Sequence, residues 1–500
     1  MSGFRTVTMR YEIDSTGVTG LDEVLLGGLP RNQMYFVQGD PGAGKTTLSF
    51  QFLLEGVRRG EKSMYVTLAA SRSDLERVAH SHGWDLDGLV IEEQLRDARA
   101  NIEKETTFYH PGEVELGRTV QAVLDAIARE APARVVIDSL AEIRLLSESA
   151  LRYRKQLLVI KEFVREQNVT AVVIDDRSLA ARDSEIQGLA EGVIVLERET
   201  PVYGAPRRRL EVVKLRGVNY HGGYHDFTIN EGGLQVFPRL IAAEHEGRRV
   251  TGSISSGVPE IDELTGGGFD RGSGAIIMGP AGVGKSALAT QFAATAARAG
   301  DHVAMFLFDE TRSTFLSRSA SLGFGVQELI ESERLYVQQI DPAEMSAGEF
   351  SWVIRRSIEK YNTTVLVIDS LNGFVNAMPE VRFLTVHLHE LLTYLSHKGV
   401  MTLLVLAQHG VLGAITSSID VSYLADSAIL LRYYETQGEL RRAISVLKKR
   451  SSGHENTIRD FRLTSAGIRI GDPLRAFQGV LSGAPAGGGD LSVAAPKESV

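Results

Sequence analysis

Short runs of apolar residues recur along the chain and alternate with longer amphipathic stretches. In the first half the runs are Met34–Val37, Met64–Leu68, Arg134–Ile137, Ala171–Ile174 and Gly192–Leu196. In the second they are Ala275–Met278, Val303–Phe308, Thr364–Ile368, Thr402–Leu406 and Ala428–Leu431. An unbroken apolar run suits a strand buried on both faces, because a half-exposed strand would alternate. Runs separated by amphipathic stretches predict βαβ units. The fold class is therefore α/β, with mostly parallel sheets flanked by helices.

The pattern occurs twice. Thr16-Gly17-Val18-Thr19-Gly20-Leu21-Asp22-Glu23 resembles Ser256-Gly257-Val258-Pro259-Glu260-Ile261-Asp262-Glu263, and each runs into a glycine cluster, Gly27-Gly28 or Gly266-Gly267-Gly268. Gly17 and Gly257 stand 240 residues apart, as do Lys45 and Lys285. So long a period is a domain duplication, not a solenoid. It divides the 500 residues into domains at 1–240 and 253–475, a polar linker at 241–252, and a Gly/Ala-rich tail at 476–500. The tail is too poor in large apolar residues to offset its ordering entropy and is read as disordered. Composition narrows the picture further. A net charge of -9 argues against coating nucleic acid by bulk electrostatics. The absence of cysteine rules out disulfides and thiolate metal sites. Residues 1–25 lack the apolar core of a signal peptide, and no apolar run is long enough to span a bilayer. A cytoplasmic location is the expectation.

Each half carries a complete phosphate-binding loop. Gly39-Asp40-Pro41-Gly42-Ala43-Gly44-Lys45-Thr46 and Gly279-Pro280-Ala281-Gly282-Val283-Gly284-Lys285-Ser286 both fit G-x-x-x-x-G-K-[ST]. The glycines let backbone N–H groups turn toward the phosphates, the lysine reaches the β- and γ-phosphates, and the hydroxyl of Thr46 or Ser286 ligates Mg²⁺. A helix must open at each loop so that its N-terminus faces the anion. Thr47–Arg59 and Ala287–Arg298 fit that role, with Thr47 and Ala287 completing the ATP-binding sets. The second metal-side group is an acid at the end of a buried strand. Asp138 in Ile137-Asp138-Ser139-Leu140 and Asp369 in Ile368-Asp369-Ser370-Leu371 repeat one another. A rival in the first half, Asp175-Asp176, has no acidic counterpart near Leu406-Ala407-Gln408.

The halves differ where hydrolysis needs a group to deprotonate the attacking water. Asp309-Glu310 begins 24 residues after Lys285. Ala69-Ala70 begins 24 residues after Lys45. Alanine accepts no proton. The first site is therefore expected to bind ATP and hydrolyse it poorly. In the second, Glu310 is the expected base, Asp309 supports it, and Lys285 completes the catalytic set. Asp309-Glu310 could instead cap the following helix.

These residues resemble the KaiC family, double-domain RecA-like ATPases and autokinases of the bacterial clock. The resemblance covers about residues 10–475 and includes Lys214-Leu215-Arg216-Gly217 and its counterpart Lys448-Lys449-Arg450. It implies that Lys214, Arg216, Lys448 and Arg450 contact ATP on a neighbouring subunit, in a homo-hexamer with nucleotide between protomers. An arginine in trans can stabilise developing phosphoryl charge. The family also phosphorylates an adjacent Ser and Thr before a late strand. Ser422 and Tyr423 align there, so the resemblance implies Ser422 as a phosphosite, with Thr416, Ser417 and Ser418 nearby. The expected function is an ATPase with Ser/Thr autokinase activity in a timing or signalling system, with clock or signalling proteins as partners. Two other readings stay open: a nucleotide-gated scaffold with incidental turnover, and a DNA-repair ATPase of the same fold.

Overall fold

The computed structural model describes residues 12–94, 111–147, 149–177, 187–245, 250–376, 381–408, 424–475 and two short strands in the tail, Phe477–Gln478 and Ala486–Gly487. The chain divides into two compact units, Met1–Arg239 and Leu240–Val500. The segment read as a linker starts inside the second unit. Leu240 and Ala242 are buried in that unit's core, and the Ala242 N–H donates to Glu390 Oε2 (2.9 Å). In the tail read as disordered, Phe477–Gln478 pairs antiparallel with Ala486–Gly487, and the rest of 476–500 lies outside the described residues.

Each unit is built on one nine-stranded sheet. In the first unit the strands are β3 (Met34–Gly39), β4 (Ser63–Thr67), β5 (Leu89–Glu93), β6 (Arg134–Asp138), β7 (Thr170–Asp176), β8 (Gly192–Glu199), β9 (Arg207–Leu215), β10 (Tyr224–Asn230) and β11 (Gly233–Phe237). Their order is β5-β4-β6-β7-β3-β8-β9-β10-β11. The second unit has β14 (Gly274–Gly279), β15 (Val303–Leu307), β16 (Leu335–Gln339), β17 (Val365–Asp369), β18 (Met401–Ala407), β19 (Ser427–Thr436), β20 (Glu439–Lys449), β21 (Arg459–Thr464) and β22 (Gly467–Pro473). Their order, β16-β15-β17-β18-β14-β19-β20-β21-β22, is the same topology. Six strands run parallel and the last three continue as antiparallel hairpins, in both units. This is the tandem α/β architecture that the apolar runs predict.

The parallel strands are buried on both faces. Met34, Phe36, Val135, Ile137, Ala171 and Val173 face one core of the first unit. Tyr35, Val37, Val136, Val172 and Ile174 face the other. Successive side chains of a strand thus enter opposite cores, and each must be apolar.

The repeated glycine clusters have a steric cause. A two-stranded ribbon pairs β1 (Ile13–Asp14) with β2 (Leu29–Pro30), and its counterpart pairs β12 (Ser253–Ile254) with β13 (Phe269–Asp270). Gly28 sits at φ +135°, where an added Cβ would lie 2.2 Å from the Asp14 carbonyl oxygen. Gly268 sits at φ +92°, with the Ile254 oxygen at 2.4 Å. Both the left-handed backbone and the close carbonyl exclude a side chain. Gly28→Ala and Gly268→Ala should each destabilise their own unit by more than about 1 kcal/mol, read as a lower denaturant midpoint.

Candidate functional site

The phosphate loops follow β3 and β14, at the C-terminal ends of the parallel strands. The helices after them start at the lysine, Lys45–Arg58 and Lys285–Arg298, two residues earlier than the periodicity places them. Gly44 and Gly284 precede them at φ 111° and 109°. Neither helix has a side-chain cap at its N-terminus. The first-turn N–H groups are thereby left for an external acceptor, as an anion site requires.

Register explains how the surrounding acids are placed. In the first unit β7 lies between the loop strand and the Asp138 strand, and Asp176 pairs directly with Gly39. Lys45 Nζ donates to Asp176 Oδ1 (2.6 Å) and to the Gly39 carbonyl (2.6 Å). Asp175 points elsewhere, to Gln38 (3.0 Å) and Arg144 (3.4 Å). In the second unit the partner of Gly279 is Ala407, which carries no acid. Lys285 donates instead to the Pro280 carbonyl (2.8 Å). Burial holds the Lys285 ammonium below the usual lysine range, and Asp369 and Asp309 pull it back up. Asp176 therefore belongs to the first site although it has no counterpart in the second, so the 240-residue repeat cannot reveal it.

The strand-end acids also differ. Tyr65 donates its hydroxyl to Asp138 Oδ2 (2.5 Å). Burial pushes the Asp138 carboxyl up, and Tyr65 and Lys45 oppose the shift. In the second unit Met305 occupies the place of Tyr65 in the sheet. Asp369 is more deeply buried, and burial pushes its carboxyl up to about 6, with the Ser286 hydroxyl opposing. Its Oδ2 is buried without a hydrogen-bond partner among the described residues. A desolvated carboxylate oxygen beside the loop hydroxyl is a fitting place for a divalent cation, so Ser286 and Asp369 fit Mg²⁺.

The acidic pair of the second site does not cap a helix. The cap of Arg312–Ser321 is Thr311, whose hydroxyl accepts the Thr314 N–H (3.2 Å). Asp309 accepts a hydrogen bond from the Ser370 hydroxyl, and Glu310 forms an ion pair with Arg318. In the first unit the Thr67 hydroxyl donates to the Ala70 carbonyl (2.8 Å), so backbone groups meet there in place of acids.

The basic residues fall into two sets. Lys214 lies opposite Val193 at the start of β8, whereas Gly39 lies opposite Leu196. Three residues of strand, about 10 Å, separate those levels. Lys214 Nζ donates to the Gln187 carbonyl (2.6 Å) and Arg216 to the Gly188 carbonyl (3.2 Å). Lys448 repeats the arrangement on the Ala425 carbonyl (2.6 Å), and Arg450 lies 3.6 Å from Asp426. All four are thus held at the end of their sheet away from their own loop. Arg208 lies at the loop end and donates to the carbonyls of Gly42 (2.8 Å) and Ala43 (3.2 Å). Sequence reasoning missed it; the run Arg207-Arg208-Arg209 was the available signal. Ser422 lies outside the described residues, as do Thr416, Ser417 and Ser418.

No helix among the described residues is long and apolar enough to cross a membrane. The family model described as "ATPase: KaiC" matches residues 15–241 and again 254–475. The chain is 30% identical over 477 residues to the circadian clock protein KaiC3 of Synechocystis sp., covering 94% of each. It is 30% identical over 480 residues to the circadian clock oscillator protein KaiC of Synechococcus elongatus, covering 94% of this chain and 91% of that one.

The buried Asp369 predicts a pH dependence. Its carboxyl titrates near 6 in the fold and near 4 in the unfolded chain, so the folded state holds its proton more tightly. The group costs nothing below about pH 4 and destabilises the second unit as pH rises through 6. Asp369→Asn should remove that slope and stabilise the nucleotide-free second unit at pH 7.5 by up to about 3 kcal/mol. Denaturant unfolding followed at Trp352 measures it, since the other tryptophan, Trp84, lies in the first unit.

Proposed function

The chain belongs to the KaiC family of ATPases, and on that premise we propose that its two nucleotide sites do different work. Gly39–Thr46 holds ATP for assembly, and Gly279–Ser286 carries out phosphoryl transfer. The observation that carries this reading is the exchange just past the end of corresponding strands, β15 and β4: Asp309-Glu310 in the second unit, Ala69-Ala70 in the first.

At the second site Lys285 binds the β- and γ-phosphates, and the first-turn N–H groups of Lys285–Arg298 orient them. Ser286 and Asp369 hold Mg²⁺, which when bound neutralises charge on the phosphate oxygens. Glu310 takes the proton of the attacking water, whose oxygen bonds to the γ-phosphorus as the bond to the β–γ bridging oxygen breaks, giving ADP and phosphate. Asp309 supports it, and Arg318 orients Glu310 through their ion pair.

The assembly is a homo-hexamer. Lys214, Arg216, Lys448 and Arg450 contact ATP on the neighbouring subunit, a reading supported by their distance from their own loops. The second site also phosphorylates the chain itself at Ser422. The relatives are clock proteins by name, and a timing or signalling role with partner proteins is the corresponding reading here.

ATP turnover and particle size on three variants separate the sites. Glu310→Gln should lower turnover by about 10²- to 10⁴-fold, and Lys285→Ala should abolish it. Lys45→Ala should lose assembly more than turnover. Wild-type turnover in Glu310→Gln, with Asp309→Asn inactive, moves the base to Asp309. For the kinase activity, intact mass and peptide mapping after incubation with ATP should place one phosphate on Ser422. No phosphate between Thr416 and Ser427 removes the autokinase reading.

A further inference from the structure

The two sites share their loop hydroxyls and strand-end carboxylates but differ in what joins them. In the first unit a phenol does. Tyr65 is fully buried on β4, donates its hydroxyl to Asp138 Oδ2 (2.5 Å), and lies beside the Thr46 side chain. In the second unit the same register position is Met305, whose thioether donates nothing. There the Ser286 hydroxyl acts on Asp369 directly, and the carboxylate keeps Oδ2 free of hydrogen bonds among the described residues.

A divalent cation at such a site needs the loop hydroxyl and a desolvated carboxylate oxygen together. In the second unit the carboxylate beside that hydroxyl keeps Oδ2 unengaged among the described residues. In the first, the phenol lies beside the hydroxyl and holds Oδ2 of the carboxylate. A cation there must compete with the hydrogen bond that already engages Asp138 Oδ2. Ala69-Ala70 removes the need for one, since a site that only holds nucleotide has no transition-state charge to neutralise.

We propose that Tyr65 lets the first site bind nucleotide with little dependence on Mg²⁺, its phenol standing in for the cation between Thr46 and Asp138. The proposal rests on reading Gly39–Thr46 as a nucleotide site. It makes Tyr65 a positioning residue that sets the metal requirement of one site and leaves that of the other unchanged.

The test is equilibrium binding of a fluorescent ATP analogue to full-length Lys285→Ala, which leaves the first site as the nucleotide site, in Mg²⁺ or in EDTA. The affinities should agree within about threefold, and adding Tyr65→Phe should make Mg²⁺ tighten binding by about tenfold or more. Tyr65→Met, which carries the second unit's own residue, should behave as Tyr65→Phe does and serves if that variant fails to fold. Tenfold Mg²⁺ dependence with Tyr65 intact, or a ratio unmoved by both substitutions, overturns the role of Tyr65 and leaves the nucleotide site standing. No binding under either condition overturns the nucleotide reading and this proposal with it.

Discussion

Each unit is arranged around a helix start whose first backbone N–H groups are left open to an anion. A helix that starts at Lys45 or Lys285 leaves its first-turn donors without internal acceptors. Gly44 and Gly284 turn the chain through left-handed backbone immediately before it, so the loop can close around a phosphate. The helix must then point away from the end of a strand. That requires a parallel sheet with its C-terminal edge gathered at the loop, and the buried apolar strands supply it. Asp138 and Asp369 stand at that edge because their strands end there.

Duplication copied this frame, and the two copies have since diverged at single positions within it. The shared topology holds corresponding residues at corresponding register positions, so each exchange changes the chemistry at a shared place. Ala407 opposite Gly279, where Asp176 stands opposite Gly39, leaves Lys285 without the ion pair that Lys45 has. Met305 in place of Tyr65 leaves a carboxylate oxygen of Asp369 unengaged. Ala69-Ala70 in place of Asp309-Glu310 removes proton acceptors from the first site. Both lysines are buried and both strand-end carboxyls are raised by burial, but Lys45 pairs with Asp176 and Asp138 with Tyr65, whereas Lys285 meets only a backbone carbonyl and Asp369 keeps Oδ2 unengaged among the described residues.

Much of the frame was legible in the sequence. Unbroken runs such as Val135-Val136-Ile137 signal burial on both faces, and the 240-residue repeat turns each motif into two mutually supporting observations. The same reliance on repetition hid what is unique to one unit. Asp176 was set aside because its counterpart carries no acid, yet sheet register places it beside the loop. Tyr65 reads as one more apolar strand residue, since its hydroxyl acquires a role only when β6 is laid beside β4. Arg208 sits among three arginines, and only the antiparallel pairing of β8 with β9 shows which one reaches the loop.

The sequence by itself determined the α/β class, the duplication, both phosphate loops, the strand-end acids and the unequal acidic pairs. Each of these is written in residues close together along the chain, where spacing and periodicity are sufficient. Only the tertiary structure decided which cation meets which acid, which end of the sheet Lys214 and Lys448 occupy, and that a phenol beside Thr46 binds Asp138. Those facts depend on strand order and register. Both are set by how the two cores pack on the sheet, and no local stretch of sequence carries that information.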